Sequence, residues 1–122
     1  MADSYPGIDI VVIQRIRTLL TSNHSQQFIN RTFTSKEKEY CQSKPDSAIH
    51  FAGRFAAKEA IKKCIMSSGE ISIIAFKDIE ILPNELGAPV VNIVSESLNE
   101  YKCRVSISHD GEYAIANAIF TL

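Results

Sequence analysis

The chain has 122 residues, 45% hydrophobic and 22% charged, with a formal net charge of −1. This composition suits one folded domain over 1–122 and excludes a disordered or fibrous chain. The near-neutral balance argues against a general nucleic-acid binder, which needs a basic excess. No apolar run approaches the ~20 residues of a membrane-spanning helix, so no membrane partner is expected. The opening MADSYPGID lacks the basic start and apolar stretch of a secretory signal, and it is acidic rather than Arg-rich. Three cysteines, Cys41, Cys64 and Cys103, form no CxxC pair. They read as reduced thiols filling small apolar spaces in a cytoplasmic-type compartment. Their spacing and the scattered histidines speak against zinc.

In chain order, GIDIVVIQRI at 7–16 opens as a β-branched strand. Ile8, Ile10 and Val12 fall on one side, and Asp9, Val11 and Ile13 on the other. A carboxylate on an apolar face needs a cation or metal partner, because burying it alone is costly. The other reading of Asp9 is an edge-strand residue near water. Residues 13–22 then carry Ile13, Ile16, Leu19 and Leu20 at helical spacing, with Arg15 and Arg17 off the stripe and facing outward. A second helix starts near Thr34, where Thr34-x-x-Glu37 has the form of a capping box and Phe33 offers a staple. Pro45 and Asp46 break it.

A third helix is expected from about Ser47 to Met66, with Ala57, Ile61, Cys64 and Ile65 as its apolar stripe and Gly69 as its end. The C-terminal half reads as strands over Asp78–Leu82 and Val90–Val94, a short helix over Ser95–Tyr101, and strands over Arg104–Ser108 and Tyr113–Phe120. Asp110–Gly111 is the hairpin signal between the last two. The fold class is α+β: a leading strand, about three helices, then a mainly antiparallel sheet.

The third helix carries the chemistry. Within GRFAAKEAIKK, Gly53 to Lys63, one acid, Glu59, lies among Arg54, Lys58, Lys62 and Lys63. Glu59 and Lys63 have the spacing of a routine helix-stabilising pair. Arg54–Lys58 and Lys58–Lys62 are like-charge pairs one turn apart, whose repulsion an anionic ligand would offset. Lysine and arginine bind phosphate, and Mg²⁺ bridges phosphate to carboxylate with only one or two protein carboxylates, so Asp9 and Glu59 would suffice. The commoner origin of such a pattern is a solvated basic helix face, which is also the plain reading of Lys58 and Lys62.

Four segments, GIDIVVIQRI at 7–16, RTFTSKE at 31–37, FAGRFAAKEAIKK at 51–63 and VSISHDGEYAIA at 105–116, resemble the holo-[acyl-carrier-protein] synthase family of 4′-phosphopantetheinyl transferases, in the family's order and over nearly the whole chain. The resemblance implies transfer of the phosphopantetheine arm of coenzyme A to a serine of an apo acyl carrier protein, with adenosine 3′,5′-bisphosphate as the other product. It implies a Mg²⁺-dependent enzyme of fatty acid biosynthesis in the cytoplasm. Asp9 and Glu59 match the metal-binding carboxylates, and Glu59 is a candidate to help deprotonate the serine. Lys63 matches a lysine that contacts phosphate and assists proton transfer. Arg54 and His109 match positions that hold the nucleotide end of coenzyme A, and Ser106 and Ser108 are further phosphate donors. Arg15 matches a basic residue that receives the acidic carrier protein, in a patch that Arg17 and Arg31 extend.

The family assembles as a trimer with active sites between subunits, and the small-residue face of Ala114, Ala116 and Ala118 is compatible with close packing, as it would be with a sheet edge or a single-chain core. The chain departs from the family at Ala88, where a basic residue is common, at Gln14, and over Ser67–Ala75, which lacks the usual glycine-rich turn. Three rivals stand beside this reading. One is a non-catalytic module holding an acidic partner on the Arg54–Lys63 helix. Another is a metal-dependent nuclease built on Asp78, Glu80 and a nearby lysine. The third is plain structure, with Glu59 and Asp9 as ordinary salt-bridge partners and no dependence on Mg²⁺.

Overall fold

In the computed structural model, which describes residues 3–70, 73–94 and 102–122, the leading strand β1 spans Ser4–Val12 and runs without a loop into helix α1, Ile13–Leu20. The β-branched run is therefore divided at Val12. The join is held by the Ile13 amide, which donates to the Glu112 carbonyl at 2.8 Å. As the alternation predicts, Val11 and Ile13 are buried, while Ile8, Ile10 and Val12 are exposed. The next helix, α2 (Ser25–Thr32), has no counterpart in the expected elements. Its sequence SQQFINRT is mostly polar, and only Phe28, Ile29 and Thr32 are buried, so its periodicity is too faint to read locally.

Helix α3 (Ser35–Gln42) starts where the capping box places it. The Glu37 amide donates to Thr34 Oγ1 at 3.2 Å, and the Thr34 amide donates to Glu37 Oε1 at 2.9 Å. The staple is replaced by aromatic packing. The residue at the fourth helical position is Lys38, and Phe33 instead meets the rings of Phe28 and Phe51, with centroids 5.7 and 4.9 Å away.

Helix α4 (Ser47–Ser68) ends at Gly69, whose φ of +78° makes the left-handed stop that favours glycine. A 3₁₀ turn (Phe76–Asp78) leads into β2 (Ile79–Pro83) and β3 (Pro89–Ile93), which form a separate antiparallel pair. Strands β4 (Lys102–Asp110) and β5 (Tyr113–Thr121) complete a three-stranded antiparallel sheet of order β1-β5-β4. Their hairpin loop is Gly111–Glu112, because Asp110 pairs with Tyr113. The glycine stands first in the two-residue loop with φ +58°, one position away from the expected Asp–Gly loop. The helix expected over Ser95–Tyr101 lies outside the described residues.

α4 lies across the inner face of this sheet, and the small residues make that approach possible. A Cβ at Gly7 would sit 2.0 Å from the Ala60 carbonyl oxygen and 3.0 Å from the Cys64 nitrogen. Ala56, Ala57 and Ala60 on the helix and Ala114, Ala116 and Ala118 on β5 are all buried in the same core. The β5 alanines therefore belong to the packing within one chain. The opposite sheet face is the exposed apolar one, with Ile8, Ile10, Val12, Tyr113, Ile115 and Ile119.

Candidate active site

Close packing of Gly7 under Ala60 brings the next turn of α4 over the strand residue two positions on. Lys63 Nζ donates to Asp9 Oδ1 at 3.1 Å and to the Ile8 carbonyl at 3.0 Å. Asp9 sits on the inner sheet face, in register with Ala116, and its side chain is 18% exposed against 55% for Lys63. The half-buried carboxylate thus has its cation. The Glu59–Lys63 pair suggested by spacing is not made. Glu59 is half-buried and forms no hydrogen bond or ion pair among the described residues, although it lies one turn before Lys63 on the same face.

Among the described residues no cluster of three or more His, Cys, Asp or Glu could enclose a metal ion. Two carboxylates, one of them half-buried without a partner, fit a Mg²⁺ that takes the rest of its ligands from phosphate and water.

Lys58, expected in solvent, is fully buried, and so is its partner Glu37. All three ammonium donors are used: on Glu37 Oε1 at 2.5 Å, the Thr32 carbonyl at 2.8 Å and the Phe76 carbonyl at 3.0 Å. Glu37 Oε2 accepts from the Ile81 amide at 2.8 Å. Burial pushes the Lys58 pKa down, and Glu37 opposes that shift. Lys58 therefore ties α4 to the end of α2, the first turn of α3 and the 3₁₀ turn, Glu37 extends the link to β2, and the charge of Lys58 is neutralised inside the protein. The row of like charges along the helix thereby loses its middle member. Lys62 is likewise occupied, with Nζ 4.0 Å from the centre of the Phe76 ring.

At the N-terminal end of α4, Arg54 is buried, with its guanidinium 4.3 Å from the centre of the Tyr40 ring. Its Nε has no hydrogen-bond partner among the described residues, so a buried donor is left for an acceptor from outside. His50, one turn earlier, stacks edge-on against Tyr40 at 5.8 Å, and Lys44 Nζ lies 4.9 Å from the same ring. The His50 pKa is lowered, first by burial and then by the positive charges of Arg54, Lys44 and His109. Arg54, His50 and Lys44 are thus gathered around Tyr40, and His109 lies on the same face of β4 as Ile107, which meets Gly53 beside Arg54. His50 was legible as the residue four before Arg54. Tyr40 and Lys44 arrive only through the packing of α3.

Ser106 and Ser108 are separated from this cluster. They alternate with His109 along β4 and pair with Asn117 and Ile115, so they lie on the outer, apolar sheet face.

The basic residues of α1 and α2 divide in the same way. Exposed Arg15 and Arg31 border an open groove of ≈ 590 Å³ whose lining includes Leu19, Phe28, Phe55 and Phe76. Arg17 points elsewhere: its two terminal nitrogens donate to Asp46 at 2.9 and 3.1 Å. That pair raises the Arg17 pKa and lowers that of Asp46, and it removes Arg17 from the patch. Of the acid pair in the nuclease reading, Glu80 is committed, since its Oε2 accepts from Thr34 Oγ1 at 2.7 Å. Ala88 takes part in a tight turn, where its amide donates to Asn84 Oδ1 at 3.0 Å.

Residues 5–118 match the 4′-phosphopantetheinyl transferase superfamily. The chain belongs to that superfamily. Among its curated members, the holo-[acyl-carrier-protein] synthase of Chlorobaculum parvum is 43% identical over 113 residues, covering 93% of this chain and 94% of that protein. The enzyme of the same name from Clostridium botulinum (strain Eklund 17B / Type B) is 43% identical over 118 residues, covering 93% of each. The superfamily fold is reproduced as well. The ACPS–CoA complex of Chronobacterium ammoniagenes superposes with a TM-score of 0.82 at 28% identity, over 97% of this chain and 96% of that one. The Bacillus anthracis holo-(acyl-carrier-protein) synthase in complex with CoA (3′,5′-ADP) gives 0.79 at 30% identity, over 96% and 95%.

Proposed function

We propose that this chain acts, as one domain over 1–122, as a Mg²⁺-dependent holo-[acyl-carrier-protein] synthase. It transfers the 4′-phosphopantetheine arm of coenzyme A to a serine of an apo acyl carrier protein and releases adenosine 3′,5′-bisphosphate. The observation that carries the reading is the set Asp9, Lys63 and partnerless Glu59 at one place on the β1–α4 contact, in a chain of this superfamily.

The serine oxygen forms a bond to the phosphorus bearing the pantetheine arm, and the bond from that phosphorus to the bridging oxygen breaks. Glu59 is placed to take the serine proton, directly or through water, since its carboxylate is committed to no other group among the described residues. Lys63 sets a positive charge beside Asp9, where charge on the pyrophosphate builds, and such a transfer depends on positioning and electrostatics. Asp9 and Glu59 would hold Mg²⁺, which supplies neutralisation of phosphate charge when bound. Arg54, His109, His50 and Lys44 form the basic seat for the nucleotide end. The groove bordered by Arg15 and Arg31, with Phe55 one turn before Glu59, receives the acidic carrier protein.

The reading includes a homotrimer with active sites between subunits. Its support is the exposed apolar face of Ile8, Ile10, Val12, Ile115 and Ile119, a patch of the kind that marks an interface. Ser106 and Ser108 share that face, so they reach a phosphate only from across such an interface. The reduced cysteines support action in the cytoplasm, where the product serves fatty acid biosynthesis.

The decisive experiment is intact-mass analysis of an apo acyl carrier protein incubated with this protein, coenzyme A and Mg²⁺, with an EDTA control. A gain of one phosphopantetheine arm that EDTA abolishes is the expected result. No gain over several carrier proteins, with the protein shown to be folded, would favour a module that binds acidic partners without turnover.

A further inference from the structure

Tyr40 takes no part in the proposed chemistry, yet three basic side chains meet its ring. The Arg54 guanidinium lies 4.3 Å from the ring centre and Lys44 Nζ 4.9 Å, and the His50 ring meets it edge-on at 5.8 Å. This contact is the second of two rungs between α3 and α4. Glu37 stands one turn before Tyr40 on α3, and Lys58 stands one turn after Arg54 on α4. The buried Glu37–Lys58 pair therefore locks the helices one turn away from the place where Tyr40 and Arg54 meet.

A carboxylate that holds an arginine takes up its donors and cancels its charge. Arg17 is held in that way, by both oxygens of Asp46. Arg54 is held differently. It is 6% exposed, and it makes no hydrogen bond or ion pair among the described residues, its buried Nε included. An aromatic ring attracts a guanidinium without cancelling its charge, and leaves its N–H donors to a further acceptor. The surroundings are positive as well. After burial, it is the charges of Arg54, Lys44 and His109 that lower the His50 pKa, and Asp46, which opposes them, is bonded to Arg17.

We propose that Tyr40 is a positioning residue for phosphate binding: its ring holds Arg54 in place with charge and donors intact, so that a phosphate group arriving there meets Arg54 flanked by Lys44 and His50. The ligand class is a phosphate monoester dianion. Its identity as a phosphate at the nucleotide end of coenzyme A rests on the proposed function, whereas the ring contacts and the unpartnered donor stand without it. In the absence of the ring, the ligand itself would have to order the long arginine side chain, which weakens binding. Tyr40 does not touch the reacting atoms, so the loss falls on KM and not on kcat.

The test follows the Arg54 Nε–H resonance of the full chain, assigned by its absence in Arg54→Lys, while inorganic phosphate or adenosine 3′,5′-bisphosphate is added. Both anions should shift it. The Kd for the bisphosphate should rise about tenfold or more in Tyr40→Leu and stay within about twofold of wild type in Tyr40→Phe, which keeps the ring. In turnover, Tyr40→Leu should raise KM for coenzyme A by a similar factor at unchanged kcat. A resonance that neither anion moves would overturn the anion site, and a shift with inorganic phosphate alone would overturn the nucleotide as its ligand. Equal affinity in wild type and Tyr40→Leu, or an equal loss in Tyr40→Phe, would overturn the role of the ring. Should Tyr40→Leu fail to fold, the wild type decides: the nuclear Overhauser effect between the Tyr40 ring and the Arg54 side chain should persist at saturating bisphosphate, and its disappearance on binding would overturn the positioning. Phosphate binding that depends on Tyr40, in a protein that transfers no phosphopantetheine, would uphold the inference and count against the proposed function alone.

Discussion

Two lysine–carboxylate pairs leave the same helix five residues apart, and they behave as opposites. Lys58 and Glu37 are 0% exposed, and every donor of the ammonium is used. Lys63 and Asp9 are 55% and 18% exposed, and the cation reaches its carboxylate from the surface. The first pair joins five elements and offers nothing to a ligand. The second stands partly in solvent with Glu59 one turn away, as the proposed phosphate and metal site requires. Both lysines stand on one helix, and burial sets the pair locked in the core apart from the pair of the proposed site.

Breaking the buried pair should give the largest change. Lys58→Ala strands Glu37 in the core, and loss of about 3–5 kcal/mol is expected, read as a lowered urea midpoint. If Lys58→Ala unfolded no more easily than wild type, the contrast between the pairs would collapse. Gly7→Ala should come next, at about 1–3 kcal/mol, because its new methyl meets the Ala60 carbonyl; the same denaturation series checks it. Beside the exposed pair, at Glu59, the effect should move from stability to turnover. Glu59→Gln should lower the transfer rate by about 10²-fold or more, while its urea midpoint stays within about 0.5 kcal/mol of wild type.

A finer contrast separates the arginines. Arg15→Glu and Arg31→Glu should raise KM for the carrier protein, and the effect should shrink with added salt. Arg17→Ala should leave KM unchanged, because Asp46 already holds that guanidinium; an equal rise for all three would return Arg17 to the docking patch. The smallest effect is in pH. A His50 pKa held below its usual value means that the unfolded chain takes up the proton first as pH falls. His50 therefore contributes stability that is full above about pH 6.5 and is lost as pH falls through the lowered folded value. Urea midpoints compared at about pH 8 and about pH 5.5 should differ less in His50→Gln than in wild type.

Much of this was legible locally. The Thr34 capping box, the Gly69 stop and the alternation of β1 are short-range patterns whose physics is complete within a few residues. Asp9 facing inward with Val11 followed from the two-residue period of a strand. The polar helix α2 was not legible, because its amphipathic signal rests on Phe28 and Ile29 alone. The destination of the β5 alanines was not legible either, since a stripe of small residues serves an interface and a core equally well.

The sequence by itself determined the elements of the site: a carboxylate on the inner face of the first strand, a glutamate and a lysine one turn apart, and the motifs that place the chain in its superfamily. Only the tertiary structure decided the partners. It sent Lys58 to Glu37, Lys63 to Asp9, Arg17 to Asp46 and Arg54 to Tyr40. The two-residue period of β4 had already set Ser106 and Ser108 on the face opposite Ile107 and His109. The reason is that helical and strand periods fix the direction of a side chain, while a charge is neutralised by whatever lies nearest in space. That neighbour was in each case between 14 and 54 positions away in the chain.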